Sequence, residues 1–413
     1  MSAHAPREAT PPPWAALSLI GIIFLNMLGF GIIVPLLPFY AKSFDAEPWQ
    51  IALIFSAFSI GTFFGEPFWG RLSDKYGRKP LLIMTIAANG LCYLGLAFAP
   101  SATAAVAIRL LGGLFSGNGS IIQGYIADVT PPEKRTRSMS YMGAAWNVGL
   151  IVGPFMGGVF ARPSAGPIGF QLPLLISASL FLASAVFIAL IIRESRERDL
   201  SATHRPNRWA ATGEAARHPV VGPLMLLTFL VGFAFTGIES VFGLWTQVRY
   251  GWGPHEIGWA FAIVGVASAL TQIFVTGPMS ERYGQGRMLA AGMAITMACM
   301  LLQPLSASGP MTIALLTLSA MGQSVAWPNV AALISETADP HRQGQILGLN
   351  NAMGALARVV GPMCANLSFA GPSIHAPFII GAFAVAPAIW IALEAGRRAR
   401  AWQQSPGAGD DPA

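Results

Sequence analysis

Three ionisable side chains, Arg109, Glu239 and Arg358, lie in the middle of long apolar runs. A charge in such surroundings is costly and marks a pairing partner, a solute path or a proton relay. No histidine shares those runs, since His255 and His375 fall beside short polar breaks. A proton carrier would therefore be a carboxylate, and Glu239 is the deep one. Desolvation favours its neutral form, while a nearby Arg109 or Arg358 favours the charged form. The bland alternative for the same residues is a structural Glu239–Arg358 pair. Glu66 lies one turn before Gly70 and reads as reaching toward the polar surface; Glu394 reads as interfacial. Cys92, Cys299 and Cys364 stand alone, without metal spacing or a disulfide framework. No nucleophile–base set accompanies them, so neither an enzyme nor a metal or cofactor site is expected.

Uncharged groups able to hold a solute are the amides of Asn26, Gln123, Asn147, Gln323 and Asn350, with Gln272, Asn329 and Asn351 beside them. Each alone is more often a helix–helix hydrogen bond. Trp146 and Trp327 offer faces for an aromatic solute, or fill space.

Two glycine-marked segments frame these groups. Gly70, Arg71, Asp74, Lys75, Gly77, Arg78 and Lys79 put four cations and one carboxylate into ten residues. The spacing predicts a loop, with Gly70 and Gly77 permitting a tight turn. Gly149, Gly153 and Gly157 recur every four residues and make a bare stripe on a helix, against which another backbone can approach closely. Pro154 interrupts that helix's hydrogen bonding, and Gly158 follows it.

The elements that position these residues are membrane spans. The chain is 54% hydrophobic and 11% charged, against about 25% charged for a soluble domain. Its apolar runs reach the roughly 20 residues a helix needs to cross a bilayer. Twelve spans are expected, near 14–40, 50–69, 80–99, 102–127, 138–161, 171–192, 220–247, 257–277, 288–306, 311–334, 345–368 and 374–394. Trp14, Trp49 and Trp252 fall at span ends, as interfacial aromatics do. Twenty of the 25 Lys and Arg residues fall in the termini and alternate loops. Only Lys42, Arg162 and Arg249 lie on the other side. By the positive-inside rule both termini are cytoplasmic. The basic loops read as topology, with no nucleic-acid partner despite the net charge of +6.

The two halves repeat each other. Gly70, Ser73, Asp74, Lys75, Tyr76 and Gly77 align with Gly277, Ser280, Glu281, Arg282, Tyr283 and Gly284 at an offset of 207. Asp128, Gly153 and Pro154 align with Glu336, Gly361 and Pro362 at an offset of 208. The expected fold is an all-α membrane protein of two six-helix bundles in parallel repeat. Its divisions are a tail at 1–13, bundles at 14–192 and 220–394, a linker at 193–219 and a tail at 395–413. A solute site is expected between the halves near mid-membrane.

Residues Gly70 to Lys79 resemble motif A of the major facilitator superfamily. Gly149, Gly153, Pro154, Gly157 and Gly158 resemble motif C, the signature of its drug:proton antiporters. Leu28, Gly29, Pro35 and Pro38 resemble the first-span motif of that group, and Arg109 with Gly113 and Gly117 resembles motif B. The nearest similarity is to twelve-span efflux pumps of the tetracycline-resistance type. The resemblance implies a monomeric inner-membrane exporter of a small amphipathic organic compound, driven by proton antiport, with the lipid bilayer as its setting. It implies that Asp74 latches the halves by contacting the start of the eleventh span. It also implies that the motif C stripe lies between the halves and seals against leak. Such pumps carry an aspartate at the position of Asn26, and an amide cannot carry a proton, so this site is altered here. The alternatives are a proton-independent facilitator or importer of a metabolite, and a receptor or scaffold, for which the short tails and linker leave little room.

Overall fold

The computed structural model describes residues 14–130, 132–195, 220–337, 343–371 and 373–404; the ends of both tails and most of the predicted linker lie outside them. The described residues form helices and no strands. The first span joins Trp14–Ile33 to Leu37–Lys42 through a 3-10 turn at Val34–Leu36, where Pro35 and Pro38 break the regular ladder. The second is Pro48–Tyr76, the third Arg78–Ala97 and the fifth Pro132–Phe160. The sixth is Gln171–Ile191, the seventh Val221–Tyr250 and the ninth Gln285–Leu302. The eighth runs from Pro254–Leu270 through a π-helical segment, Thr271–Thr276, into Gly277–Tyr283. The eleventh is Gln343–Phe369 and the twelfth Ala376–Gln404, which continues past the predicted end of the last bundle. Ten segments are long and apolar enough to cross a membrane on composition alone; the broken tenth span and the polar-faced eleventh complete the twelve.

Two spans differ from the expected single helices. The fourth is split into Ala102–Leu114 and Asn118–Val129, and the tenth into Gly309–Ser324 and Ala326–Thr337. The breaks occupy equivalent positions in the repeat. In the fourth span, Trp69 Nε1 donates to the Leu114 carbonyl at 2.6 Å and Asn89 Nδ2 to that of Phe115 at 3.1 Å. Side chains thus satisfy the carbonyls that the interruption frees, as membrane interiors require.

The segment expected as a loop is also different. Gly70 to Tyr76 continues the second helix, and only Gly77 turns, at φ +100°. Its repeat mate Gly284 turns at φ +87°. Each donates its N–H back to a serine carbonyl, Ser73 and Ser280, and the next helix starts at once. Such positive φ favours glycine.

Within each half the packing repeats: first on fifth, second on fourth and third on sixth, then seventh on eleventh and ninth on twelfth. The halves meet through the fifth span on the eighth and the second on the eleventh, a symmetric exchange. Phe39 packs on Gly243, and Lys42 Nζ donates to Gln247 Oε1 at 2.9 Å. Phe155 meets Trp259 edge-on at 4.7 Å, and Ser56 Oγ donates to the Val359 carbonyl at 2.8 Å. These contacts run from the end of the molecule bearing Tyr40 to its middle. The opposite end bears Arg78.

Candidate functional site

The cluster at the Arg78 end is built around one guanidinium. Arg78 is buried, and its Nη2 lies 2.6 Å from Asp74 Oδ1, its Nε 3.2 Å from Asp128 Oδ2. Its Nη1 donates to Ser73 Oγ at 2.8 Å. The turn at Gly77 brings Arg78, at the start of the third helix, back onto Asp74 near the end of the second, while Asp128 comes from the end of the fourth span. Glu194, just after the sixth span, accepts from the backbone N–H groups of Arg78 and Lys79 at 2.8 and 3.0 Å. Its carboxylate caps the third helix, where the dipole favours negative charge. Arg71 is exposed and turns back to the Pro67 carbonyl. Residues 338–342, before the eleventh span, lie outside the described residues, so the expected Asp74 contact there stays a proposal. Sequence reasoning missed Glu194, because a single acid after a basic residue carries no periodic signal.

The glycine stripe packs differently from the expectation. Methyl groups placed on Gly149, Gly153 and Gly157 would strike the first span, at Met27, Gly31 and the Ile32 carbonyl. The stripe is therefore an interface inside the first half. The neighbouring face makes the contact between halves: Gly158 lies against the eighth span at Pro254 and Gly258, and the Pro154 carbonyl faces Gly258. The angular position of Gly158, one residue round the helix from Gly157, decides which neighbour it meets.

The charges within the spans fall into two groups. Arg109 is buried in the first half, with Nε 3.3 Å from the Ile54 carbonyl and its guanidinium 4.4 Å from the Phe58 ring centre. Its electrostatic partners are Tyr93 and Cys92, so it is not brought to Glu239. Arg358 interacts electrostatically with Glu66 of the second span and with Glu239 of the seventh, Glu66 first. Neither carboxylate lies within 4 Å of it, and no direct Glu239–Arg358 pair occurs among the described residues. Glu66 is half-buried, with its Oε1 3.4 Å from where a methyl on Gly119 of the fourth span would lie.

Glu239 is half-buried and lines a cavity of about 40 Å³ inside the second half. Gln303, Gln323, Ser319 and Cys299 share its wall with apolar residues, among them Phe235 and Phe261. That volume holds roughly two or three waters, too few for a drug-sized solute.

The remaining solute candidates separate by exposure. Asn26 is 1% exposed, with neither side-chain atom partnered. Asn350 is buried and accepts from Thr228 Oγ1 at 2.7 Å, tying the eleventh span to the seventh. Gln323 is buried and faces the Glu239 cavity. Gln123, Trp146, Asn147 and Trp327 are exposed. Asn147 Nδ2 reaches Gln272 Oε1 across the halves at 3.4 Å. Trp327 sits with Arg358 over Gly354, a methyl there meeting the indole at 3.0 Å and Nη1 at 3.7 Å. These groups and Arg358 are left exposed by the packing of the described residues.

The chain matches the family model of the Major Facilitator Superfamily over residues 19–254 and 224–410. It is 28% identical to the tetracycline resistance protein, class C, of Escherichia coli, over 86% of this chain and 90% of that one. It is 26% identical to multidrug resistance protein 2 of Bacillus subtilis (strain 168), over 88% and 91%. Its fold matches the crystal structure of a bacterial homologue of the human lysosomal transporter Spinster, inward-facing and occupied. The TM-score is 0.74 at 15% identity, over 97% of this chain and 98% of that one. With the duplicated bundles, the Gly77 and Gly284 turns and the charges between the spans, these matches show that the chain is an integral membrane transporter belonging to the Major Facilitator Superfamily.

Proposed function

We propose that the protein exports a small amphipathic organic compound across the cytoplasmic membrane by proton antiport, as a monomer with both termini cytoplasmic. The observation that carries the coupling is Glu239, a carboxylate half-buried at a water-sized cavity, with Arg358 in electrostatic reach and no direct ion partner among the described residues. The names of the relatives, a tetracycline and a multidrug resistance protein, support a drug-like solute and the outward direction. The exposed Trp146 and Trp327 provide apolar faces, and Gln123 and Asn147 polar ones, in keeping with an amphipathic solute. Alternating access follows from two rigid bundles that touch at one end and separate at the other. Asp74 serves as the latch when the Arg78 end closes.

The test uses purified protein in liposomes and a panel of amphipathic dyes and antibiotics, with and without an imposed pH gradient. Glu239→Gln preserves shape and cannot ionise. It is expected to lose gradient-driven accumulation while retaining downhill exchange. Gradient-driven transport at the wild-type rate by this variant would overturn the proton-carrier role.

A further inference from the structure

The seventh span ends in a cluster of hydroxyls that the coupling described so far does not use. Tyr250 Oη donates to the Ser306 carbonyl and lies 2.9 Å from Ser306 Oγ. Thr312 Oγ1 lies 2.9 Å from both hydroxyl oxygens. The three hydroxyls close a triangle from the end of the seventh span, the turn after the ninth and the start of the tenth. Ser306 and Thr312 are fully buried, whereas Tyr250 is half-buried. It lies at the Tyr40 end, where Gln247 of the same helix meets Lys42. Arg249 donates from Nε to Tyr250 Oη at 3.2 Å and from Nη2 to the Ser306 carbonyl at 2.6 Å.

The triangle leads inward to Gln303. Ser306 Oγ donates to the Gln303 carbonyl at 2.8 Å, and Gln303 Nε2 donates to the Thr312 carbonyl at 3.3 Å. Gln303 also lines the Glu239 cavity, as does Leu316, one turn along the helix from Thr312. Eleven residues, about 16 Å of helix, separate Glu239 from Tyr250. Hydroxyls, amide and cavity lie in that order between the Tyr40 end and the carboxylate. The duplicated scaffold does not need them. Ser101 and Ser308 cap matching helices at the repeat offset of 207. At that offset Gln303, Ser306 and Thr312 match Leu96, Ala99 and Ala105. In the first half a single hydroxyl, Tyr40 on the Leu96 carbonyl at 2.6 Å, closes the same corner. Burying polar groups is unfavourable unless each is bonded, and the second half does so at the corner that adjoins Glu239.

We propose that Tyr250, Ser306 and Thr312 form the proton inlet from the outer side to Glu239, with the Gln303 amide as its gate. This rests on the reading of Glu239 as the proton carrier. A side-chain amide donates and accepts hydrogen bonds but does not titrate. Gln303 therefore interrupts the chain while its Nε2 is held by the Thr312 carbonyl. That is the state in which the halves meet at the Tyr40 end, and a closed inlet there keeps protons from crossing while Glu239 serves the inner side. When the amide turns aside, Tyr250 passes its hydroxyl proton to the Ser306–Thr312 pair. The pair passes one to cavity water, and that water protonates Glu239. Outer water then restores the phenol. Until it does, Arg249 Nε faces the phenolate oxygen in a charge-assisted bond. One proton moves from outer water to the carboxylate, and no other reactant is needed. Arg249 and, across Trp245, His375 are the titratable neighbours of the inlet among the described residues.

The test needs no solute. Gln303→Ser removes the amide and leaves room for about one or two waters. An ungated inlet should then leak protons through Glu239 to the inner side. The full chain is placed in liposomes loaded with pyranine, with valinomycin and potassium clamping the potential, and acid is added outside. Gln303→Ser is expected to acidify the lumen about tenfold faster than wild type. Adding Tyr250→Phe, which keeps the ring, should return the leak to the wild-type rate, and so should adding Glu239→Gln. Gln303→Thr gives the same reading if Gln303→Ser does not fold, and Thr312→Val replaces Tyr250→Phe on the same ground. Folded gate variants that leak no faster than wild type, or a leak that survives Tyr250→Phe, would overturn the inlet. A leak stopped by Tyr250→Phe but not by Glu239→Gln would leave the inlet standing and overturn Glu239 as the carrier.

Discussion

Single side chains in this protein carry jobs that their neighbours in sequence do not reveal. Arg78 holds Asp74, Asp128 and Ser73 at once, from two spans, with a planar fork that lysine cannot reproduce. Removing one partner of a buried charge set strands the others, which costs about 3 kcal/mol or more. Arg78→Ala is therefore expected to lower the thermal midpoint in detergent and the folded yield markedly. Arg78→Lys should fall between it and wild type, as read by size-exclusion thermal challenge. A second residue-scale prediction concerns His375, outside the spans. Burial first, and then the Arg249 cation, hold its imidazole below the usual histidine range. Its Nδ1 accepts from Trp245 Nε1 at 3.1 Å, which requires that nitrogen unprotonated. A depressed basic group binds fewer protons folded than unfolded, so its contribution is present above the unfolded value of about 6.5 and is lost as pH falls through the folded one. The thermal midpoint should drop on acidification below about pH 6.5, and His375→Ala should flatten that part of the curve.

At the scale of elements, the fifth span has two working faces. The stripe of Gly149, Gly153 and Gly157 seats the first span, and Gly158 seats the eighth. The distinction is testable, because the first face is internal to one half and the second must slide or separate when the halves rock. Gly153→Val should reduce folded yield, since the Gly31 backbone has no room to retreat. Gly158→Val should leave each half folded and force the Tyr40 ends apart. The measurement is the spin-label distance across that end, expected to lengthen in Gly158→Val. An unchanged distance would show that the eighth span shifts to accommodate the side chain.

For the whole molecule, the second span packs on the eleventh and the fifth on the eighth, a symmetric interface about which the proposed alternating access would rock the two halves. The direction of that motion across the membrane depends on which side the Arg78 end faces. The proposed orientation, read from the split of twenty basic residues to three, puts that end in the cytoplasm. Reporter fusions after Gly166 are expected to read external, and fusions near His204, outside the described residues, internal. The reverse pattern would invert the proposed proton and solute directions.

The span count, the duplication and the family were legible in the sequence, because bilayer thickness imposes long apolar runs and the repeat leaves Gly77 and Gly284 at the same turn. Glu239 and Arg358 were legible for the same reason: a charge in an apolar run stands out. The nearness of Glu66 to Arg358 was not, since Glu66 lies near a polar segment in sequence and comes within electrostatic reach of Arg358 only through the packing of spans nearly three hundred residues apart. The breaks in the fourth and tenth spans were hidden as well, because the Trp69 and Asn89 hydrogen bonds that satisfy the broken fourth helix come from other spans. Hydropathy and spacing act along one chain and fix what must enter the membrane. Which face of each helix meets which neighbour depends on contacts made only when all spans are packed, and that decided where the charges and the glycine stripe do their work.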